Sequence, residues 1–422
     1  MNSTLGVKKI LFVVDCLYTS NNGTSISAQR YISELRKRGY EVRALCGDMP
    51  HNEEEANITD GDFCTGIYHF PVFQPICEKQ GFTYANADEA VIRQACDWAD
   101  IVHTMYPFAL SLKTIKYCNK TGKPVTAAFH VQPENITSSL CCGKVKWIND
   151  LIYSAFRRII YSHVNHIHVP SVFVANMLRK HGYKARIHVI SNGIHDDFIR
   201  AGETKLQQPK ANSQQQTIKI MMVGRLSKEK RQDVIIKAMK YSKYADHIQL
   251  VFAGNGPEYK HYLKLCQELK LKNMPRFIHK QRPELIKELL TTDLYIHSSD
   301  METEAISCIE AFATGLVPVI ADSKKSATPQ FALDERSLFK PGDPEDLARV
   351  IDYWLDRPDE KRFMESKYAE LAHKYAITNS VKLFEQMLYN EMNNETLTPV
   401  TAHITILSSI KRQVIRFYKR IA

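Results

Sequence analysis

The stretch from Asp293 to Gly315 constrains the fold of this chain more than any other. Asp293-Leu294-Tyr295-Ile296 is a short apolar and aromatic run of the kind that forms a buried strand. Cys308, Ile309, Phe312 and Ala313 then recur at helical spacing, and Gly315 supplies the stop. Strand, polar loop and helix in that order make a βα unit. Glu302 falls in its loop and Glu310 on its helix, so two carboxylates stand at the carboxyl end of a strand. Open α/β sheets bind their ligands at that end. Backbone N–H groups at the helix start, around Ala305 and Ile306, are ready donors to anionic or hydroxyl-rich groups. An ordinary solvated helix face would carry two glutamates equally well, so the meaning of the pair rests on the rest of the chain.

With 422 residues the chain suits two domains of roughly 200 residues each. Its 44% hydrophobic content is enough for two cores. The ten cysteines include no Cys-x-x-Cys pair, which fits reduced thiols in a cytosolic protein. No apolar run reaches about 18 residues, so no spanning helix is expected. The run Ile10–Val14 is too short for a signal-peptide core. The net charge of +10 is explained by solvated surface cations or by an acidic partner, nucleic acid or anionic lipid.

In the amino-terminal half, Ile10–Val14 and Glu41–Leu45 read as strands flanking a helix. The loop between Asp15 and Gly23 ends at the helix amino terminus, where Gly23 allows close backbone approach to a phosphate. A tight capped turn explains the same residues. Pro124 to His130 is a further strand-and-loop unit, with His130 at its end. His166 and His168 alternate on another strand and read as structural. Asp60-Gly61-Asp62 reads as a surface turn. From Cys142 to Val164, the residues Val145, Ile148, Ile152, Ala155 and Ile159 share one helix face, with Trp147 at its margin. Lys144, Lys146, Arg157 and Arg158 flank that stripe. Such a helix either lies in a membrane interface or packs on the protein with its cations solvated.

Residues 201–217 are polar, with a run of glutamines, and read as a flexible connection. Beyond them Ile218–Val223 reads as a strand, followed by Gly224-Arg225-Leu226-Ser227-Lys228-Glu229-Lys230. Arg225 supplies a forked donor and Lys230 a point charge, the pair that neutralises concentrated phosphate charge. Another strand then leads into the turn Gly254-Asn255-Gly256.

The loop at Arg225 and Lys230, that turn, the pair Glu302 and Glu310 with seven residues between them, and Gly315 resemble glycosyltransferase family four in the family's order. That family comprises retaining enzymes of the GT-B fold that use nucleotide-sugar donors. The resemblance extends over residues 8–48, 100–135 and 165–390. It implies an α/β protein of two Rossmann-like domains facing each other across a cleft, with a C-terminal helix returning to the first. The expected segments are an acceptor-side domain over 1–200, a linker over 201–217, a nucleotide-sugar domain over 218–375, the returning helix over 376–395 and a basic tail over 403–422. By the resemblance, Arg225 and Lys230 hold the diphosphate, Gly23 lies near it, Glu310 takes the ribose hydroxyls, and Glu302 and His130 bind the sugar. Ala305 and Ile306 contribute backbone amides. Metal is not required by such a site, and no cofactor is expected beyond the UDP-sugar donor. One departure stands out: the family has Gly-Phe-Gly directly after its first glutamate, whereas this chain has Thr303-Glu304-Ala305.

After Glu395 no acidic residue occurs, and Leu407, Ile410, Val414, Phe417 and Ile421 line one face of a helical repeat. Arg412, Arg416, Lys419 and Arg420 take the other, a pattern suited to an anionic membrane surface. The alternative is a helix docked on the first domain. A nucleic-acid groove would interleave aromatics with the charge, so nucleic acid is not the expected partner. The expectation is a peripheral enzyme on the cytoplasmic face of the cell membrane. It moves glucose or galactose from a UDP-sugar to a lipid hydroxyl, diacylglycerol or ceramide, giving an α-glycolipid. Two alternatives stand beside it: synthesis of polysaccharide or lipid-linked oligosaccharide, and a non-enzymatic membrane-surface binder on a transferase fold.

Overall fold

Strands buried on both faces need helices above and below them, and this chain alternates the two elements throughout. The computed structural model describes residues 8–18, 23–49, 61–69, 82–139, 145–208 and 217–393. The expected tail over 403–422, with Arg412, Arg416, Phe417, Lys419 and Arg420, lies outside the described residues. So do Lys144, Asp60 and the middle of the expected linker.

The chain divides into two compact units. The first runs to Gly193 and takes in the helix Ile377–Met392; the second runs from Ile194 to Ala376. In the first unit a seven-stranded parallel sheet has the order Phe63–Cys64, Glu41–Cys46, Lys9–Val14, Ile101–Thr104, Val125–Ala128, His166–Val169, Arg186–Val189. In the second, six parallel strands follow the order Arg276–Ile278, Ile248–Ala253, Ile218–Val223, Leu294–His297, Pro318–Ala321, Leu338–Phe339. Each unit places its earliest strand centrally, adds the next two on one side and all later ones on the other. The order therefore reverses between Lys9–Val14 and Ile101–Thr104, and again between Ile218–Val223 and Leu294–His297. Loops leaving the carboxyl ends of those strands diverge there and open a crevice.

The returning helix begins at Ile377 and buries Val381, Phe384, Met387 and Leu388 in the first unit. The Phe384 ring lies 5.0 Å from Tyr31 and 5.7 Å from Phe12, centroid to centroid. Arg38 ties the helix down through Glu385 (2.8 Å) and the Thr378 carbonyl (2.7 Å).

Three expectations need correction. Residues 201–207 are not linker but the second half of the helix Asp196–Gln207. Its polar composition hides an inward face of Phe198, Ile199 and Gly202. A Cβ on Gly202 would come within 2.0 Å of the Ala313 carbonyl oxygen, so this glycine serves close helix packing rather than flexibility. The first unit accordingly ends at Gly193, not at residue 200. There the outgoing and returning crossings pair, Ile194 N–H donating to the Tyr375 carbonyl at 2.8 Å.

Asp62 is not part of a solvated turn either: it accepts hydrogen bonds from the Tyr18 hydroxyl (2.5 Å) and the Ala44 N–H (2.8 Å). The helix Lys146–Ile159, for which both a packed and a membrane-facing stripe were open, buries Asn149 and Tyr153 and leaves Ile148, Ile152 and Ala155 half-buried. Tyr153 stacks on His181, and the Asn149 amide oxygen accepts from Thr137. Trp147, Leu151 and Ile159 remain 69%, 61% and 51% exposed on that helix.

Truncating Phe384 to Ala should cost about 3–5 kcal/mol, the usual range for a buried aromatic. Equilibrium denaturation reads the loss; an unchanged midpoint would show that this helix does not brace the first unit.

Candidate active site

The second unit gathers most of the expected residues at its crevice. The strand Ile218–Val223 delivers the loop Gly224–Arg231, and Leu294–His297 delivers the loop Ser298–Ala305. The Asp300 N–H donates to the Glu229 carbonyl (2.8 Å), and the Ser298 hydroxyl to the Lys230 carbonyl (2.8 Å). Arg231 pairs with Asp300 at 3.2 Å, and Lys230 Nζ pairs directly with Glu302 Oε1. These ties hold two irregular loops in one arrangement.

A third loop supports them from behind. Gly254 N–H donates to the Ile278 carbonyl, while the Leu226 N–H donates to the Asn255 carbonyl at 2.9 Å. A Cβ on Gly254 would sit 2.2 Å from the Gly224 carbonyl oxygen, so the two backbones approach as closely as glycine allows. Arg225 is steered by Glu229 (3.1 Å), which also accepts from the Ser227 hydroxyl.

Glu302 is the electrostatic centre. Burial pushes its carboxyl upward, but Lys230 and His297 overcome that and hold it well below the usual carboxylate range. His297 Nε2 lies 3.0 Å from Glu302 Oε1, and its ring is fully buried. Burial lowers the imidazole from its ordinary value against the pull of Glu302, so a neutral His297 donates through Nε2. An ionised acceptor is thereby fixed beside a cation, a combination that takes sugar hydroxyls on one side and phosphate on the other. His297 was not among the expected site residues. Its only sequence signal was its place as the last residue of the strand at the switch point.

Ala305 and Ile306 begin the helix Ile306–Ala313, and Glu310 lies one turn along it, 8% exposed. Ala305 occupies the left-handed region (φ 71°, ψ 63°). This is the position where the resembling family carries glycine, so the altered sequence keeps the turn and bears its strain.

The first unit holds the other two expected residues, and both follow strands of its own sheet. Gly23 opens the helix Gly23–Lys37, with open space where a side chain would stand. His130 follows Val125–Ala128, 6% exposed, with its ring 5.1 Å from that of His168. Burial and the neighbouring His168 hold it well below the usual imidazole range, so it is neutral. Its Nε2 has no hydrogen-bond partner among the described residues. His166 and His168 each bond the neighbouring strand or its end: His166 Nδ1 shares a hydrogen bond with His188 Nε2 (2.8 Å), and His168 Nε2 donates to the Ile190 carbonyl (2.8 Å). Among the described residues, no three His, Cys, Asp or Glu side chains cluster so as to hold a metal ion.

Residues 203–372 match the family profile described as glycosyl transferases group 1, and residues 21–198 that of glycosyltransferase family 4. The chain is 24% identical over 320 residues to the alpha-monoglucosyldiacylglycerol synthase of Streptococcus pneumoniae (strain ATCC BAA-255 / R6), covering 74% of this chain and 70% of that protein. It is 22% identical over 378 residues to the sulfoquinovosyl transferase SQD2 of Arabidopsis thaliana, covering 86% of this chain and 70% of that one. The solved structure of Anabaena Alr3699/HepE in complex with UDP matches 90% of this chain and 99% of its own, with a TM-score of 0.68 and 15% identity.

Replacing Ala305 with glycine should leave stability within about 1 kcal/mol of the parent, because relieved strain offsets the freer unfolded chain. Replacing it with valine should cost at least about 1–2 kcal/mol. Chemical denaturation distinguishes them, and a valine variant as stable as the parent would contradict the left-handed turn.

Proposed function

The chain belongs to the group 1 and family 4 glycosyltransferases, nucleotide-sugar-dependent enzymes of the GT-B fold, and from that premise we propose a lipid acceptor. The proposed reaction moves a hexose, glucose or galactose, from a UDP-sugar to a membrane-lipid hydroxyl, diacylglycerol or ceramide. The product is an α-glycolipid. The observation that carries the reading is the ionised Glu302 held between Lys230 and His297 at the switch point. The name of the pneumococcal relative, an alpha-monoglucosyldiacylglycerol synthase, supports a lipid as acceptor.

In this reading the bond from C1 to the diphosphate oxygen breaks as the acceptor oxygen bonds C1 on the same face. The acceptor proton passes to the departing phosphate. Arg225 and Lys230 neutralise the charge that grows on that phosphate, where preorganised donors contribute most. Lys230 thus exchanges part of its pairing with Glu302 for the diphosphate. Glu302 accepts hydrogen bonds from the sugar hydroxyls and orients C1, and Glu310 takes the ribose hydroxyls. The amides of Ala305 and Ile306 face the donor, Gly23 leaves room for the diphosphate, and the neutral His130 binds the sugar. With two cations on the phosphates, no divalent metal is needed.

The proposed place of work is the cytoplasmic face of a membrane, held peripherally. No described helix is long and apolar enough to cross one. Exposed Trp147, Leu151 and Ile159 stand four and eight residues apart on the helix Lys146–Ile159, one side of it. Such a stripe suits shallow insertion among lipid headgroups. Lys146 is paired with Asp150, so Arg157 and Arg158 supply the attraction to anionic lipid.

Transfer from radiolabelled UDP-glucose and UDP-galactose to dispersed diacylglycerol, ceramide and water-soluble glycans tests the assignment. Lys230→Ala and Glu302→Gln should each lower kcat/KM at least about 100-fold, measured below each variant's unfolding midpoint. Full activity in either removes the assigned site, and transfer only to soluble glycans removes the lipid acceptor. Trp147→Ser with Leu151→Ser should reduce sedimentation with anionic vesicles while UDP binding persists; unchanged sedimentation would exclude this helix as the contact.

A further inference from the structure

A cavity of about 660 Å³ opens in the first unit at the end of the sheet opposite its crevice. His166 and Arg186 are the first residues of their strands, which places the cavity at the strands' amino-terminal ends. None of the residues assigned to the transfer reaction lines it. Arg157, Arg158, Lys184 and Arg186 stand around it, and Glu391 from the returning helix contributes the one carboxylate of its lining. Arg157 is fixed by donating to the Gly182 carbonyl at 3.3 Å. No ion pair with a described residue engages Arg158 or Lys184. Four cationic side chains converging on a hollow, two of them uncompensated, favour a ligand with concentrated negative charge.

The inner wall asks for something else. Glu391 Oε2 is buried without a hydrogen-bond partner among the described residues. His166 Nε2 lies 3.7 Å from it, too far for a hydrogen bond. His166 uses its other ring nitrogen on His188. A buried carboxylate oxygen left unmatched is costly, and a hydroxyl, which both donates and accepts, satisfies both groups at once. A phosphate group already held by the cations of the outer wall does not reach this one as well.

We infer that this cavity is a binding site for a phosphate ester of a small polyol. Its phosphate is held by Arg157, Arg158, Lys184 and Arg186, and a neighbouring hydroxyl lies between Glu391 and His166. The chemistry is shared by a soluble polyol phosphate and by the headgroup of a phospholipid such as phosphatidylglycerol. One further fact connects the cavity to a surface: Arg157 and Arg158 belong to the helix that exposes Trp147, Leu151 and Ile159.

The full-length protein is titrated calorimetrically with glycerol 1-phosphate, inorganic phosphate and glycerol. It is also sedimented with phosphatidylcholine vesicles with and without phosphatidylglycerol. Glycerol 1-phosphate should bind more tightly than inorganic phosphate, and glycerol not at all. Lys184→Glu, at an exposed position, should weaken the ester at least about tenfold. Glu391→Ala should remove its advantage over inorganic phosphate. Binding of the free ester identifies a soluble ligand; binding only in the vesicle arm, still sensitive to Lys184→Glu and Glu391→Ala, identifies a headgroup. Absence of binding in both arms, or binding indifferent to both variants, overturns the site. Transfer to detergent-dispersed lipid, measured in parallel, should be unchanged in both variants, so failure here is separable from failure of the transferase reading.

Discussion

A carboxylate taken out of water must be paired or protonated, and Glu302 is paired from two directions. Lys230 reaches it from the loop after one strand and His297 from the end of the neighbouring strand. Because those strands flank the point where the sheet order reverses, the pairing occurs where helices diverge and a ligand has room. The loops need further support, since neither is regular. The backbone of Gly254 pressed against Gly224 supplies it, as does the ladder of bonds from Ser298 and Asp300 to the Lys230 and Glu229 carbonyls. Removing a partner from a pair this enclosed costs at most about 3–5 kcal/mol, less where water reaches the lysine. The site is thus held ready and part of its binding capacity is spent internally until a donor arrives.

The first unit repeats the strand order and puts it to different use. Its sheet carries a cluster of neutral histidines on the side covered by the returning helix. His103, His130 and His168 pack ring against ring beside Phe384, each held far below its ordinary pKa by burial. The outer helix Lys146–Ile159 leaves apolar side chains in solvent, which a soluble monomer rarely does in a row. At its carboxyl end stand the arginines of the phosphate cavity. One end of the sheet therefore offers the substrate loops and the other a charged hollow.

Much of this was legible in the sequence, and particular residues show why. The strand runs, Gly224 to Lys230 and the two glutamates could be read because each depends on local spacing. The helix Asp196–Gln207 could not: its exposed face outnumbers its buried one, and Gly202 reads as a linker residue until its approach to Ala313 is seen. His297 was hidden because a histidine ending a strand looks like any other. Which face of Lys146–Ile159 packs inward could not be read, because two polar-capable residues, Asn149 and Tyr153, take the inward positions through hydrogen bonds to Thr137 and Glu134. Gly-to-Ala at position 305 was visible, but its left-handed backbone was not.

The most direct measurement is calorimetric titration of UDP and of the intact UDP-sugar into the parent, Glu302→Gln and the Lys230→Ala/Glu302→Gln double variant. If Lys230 divides its charge between Glu302 and the diphosphate, the single variant should bind UDP at least as tightly as the parent yet lose the added affinity due to the sugar. The double variant should bind UDP markedly more weakly than either. Identical UDP affinities in all three proteins would contradict the account, because the diphosphate would then be held elsewhere.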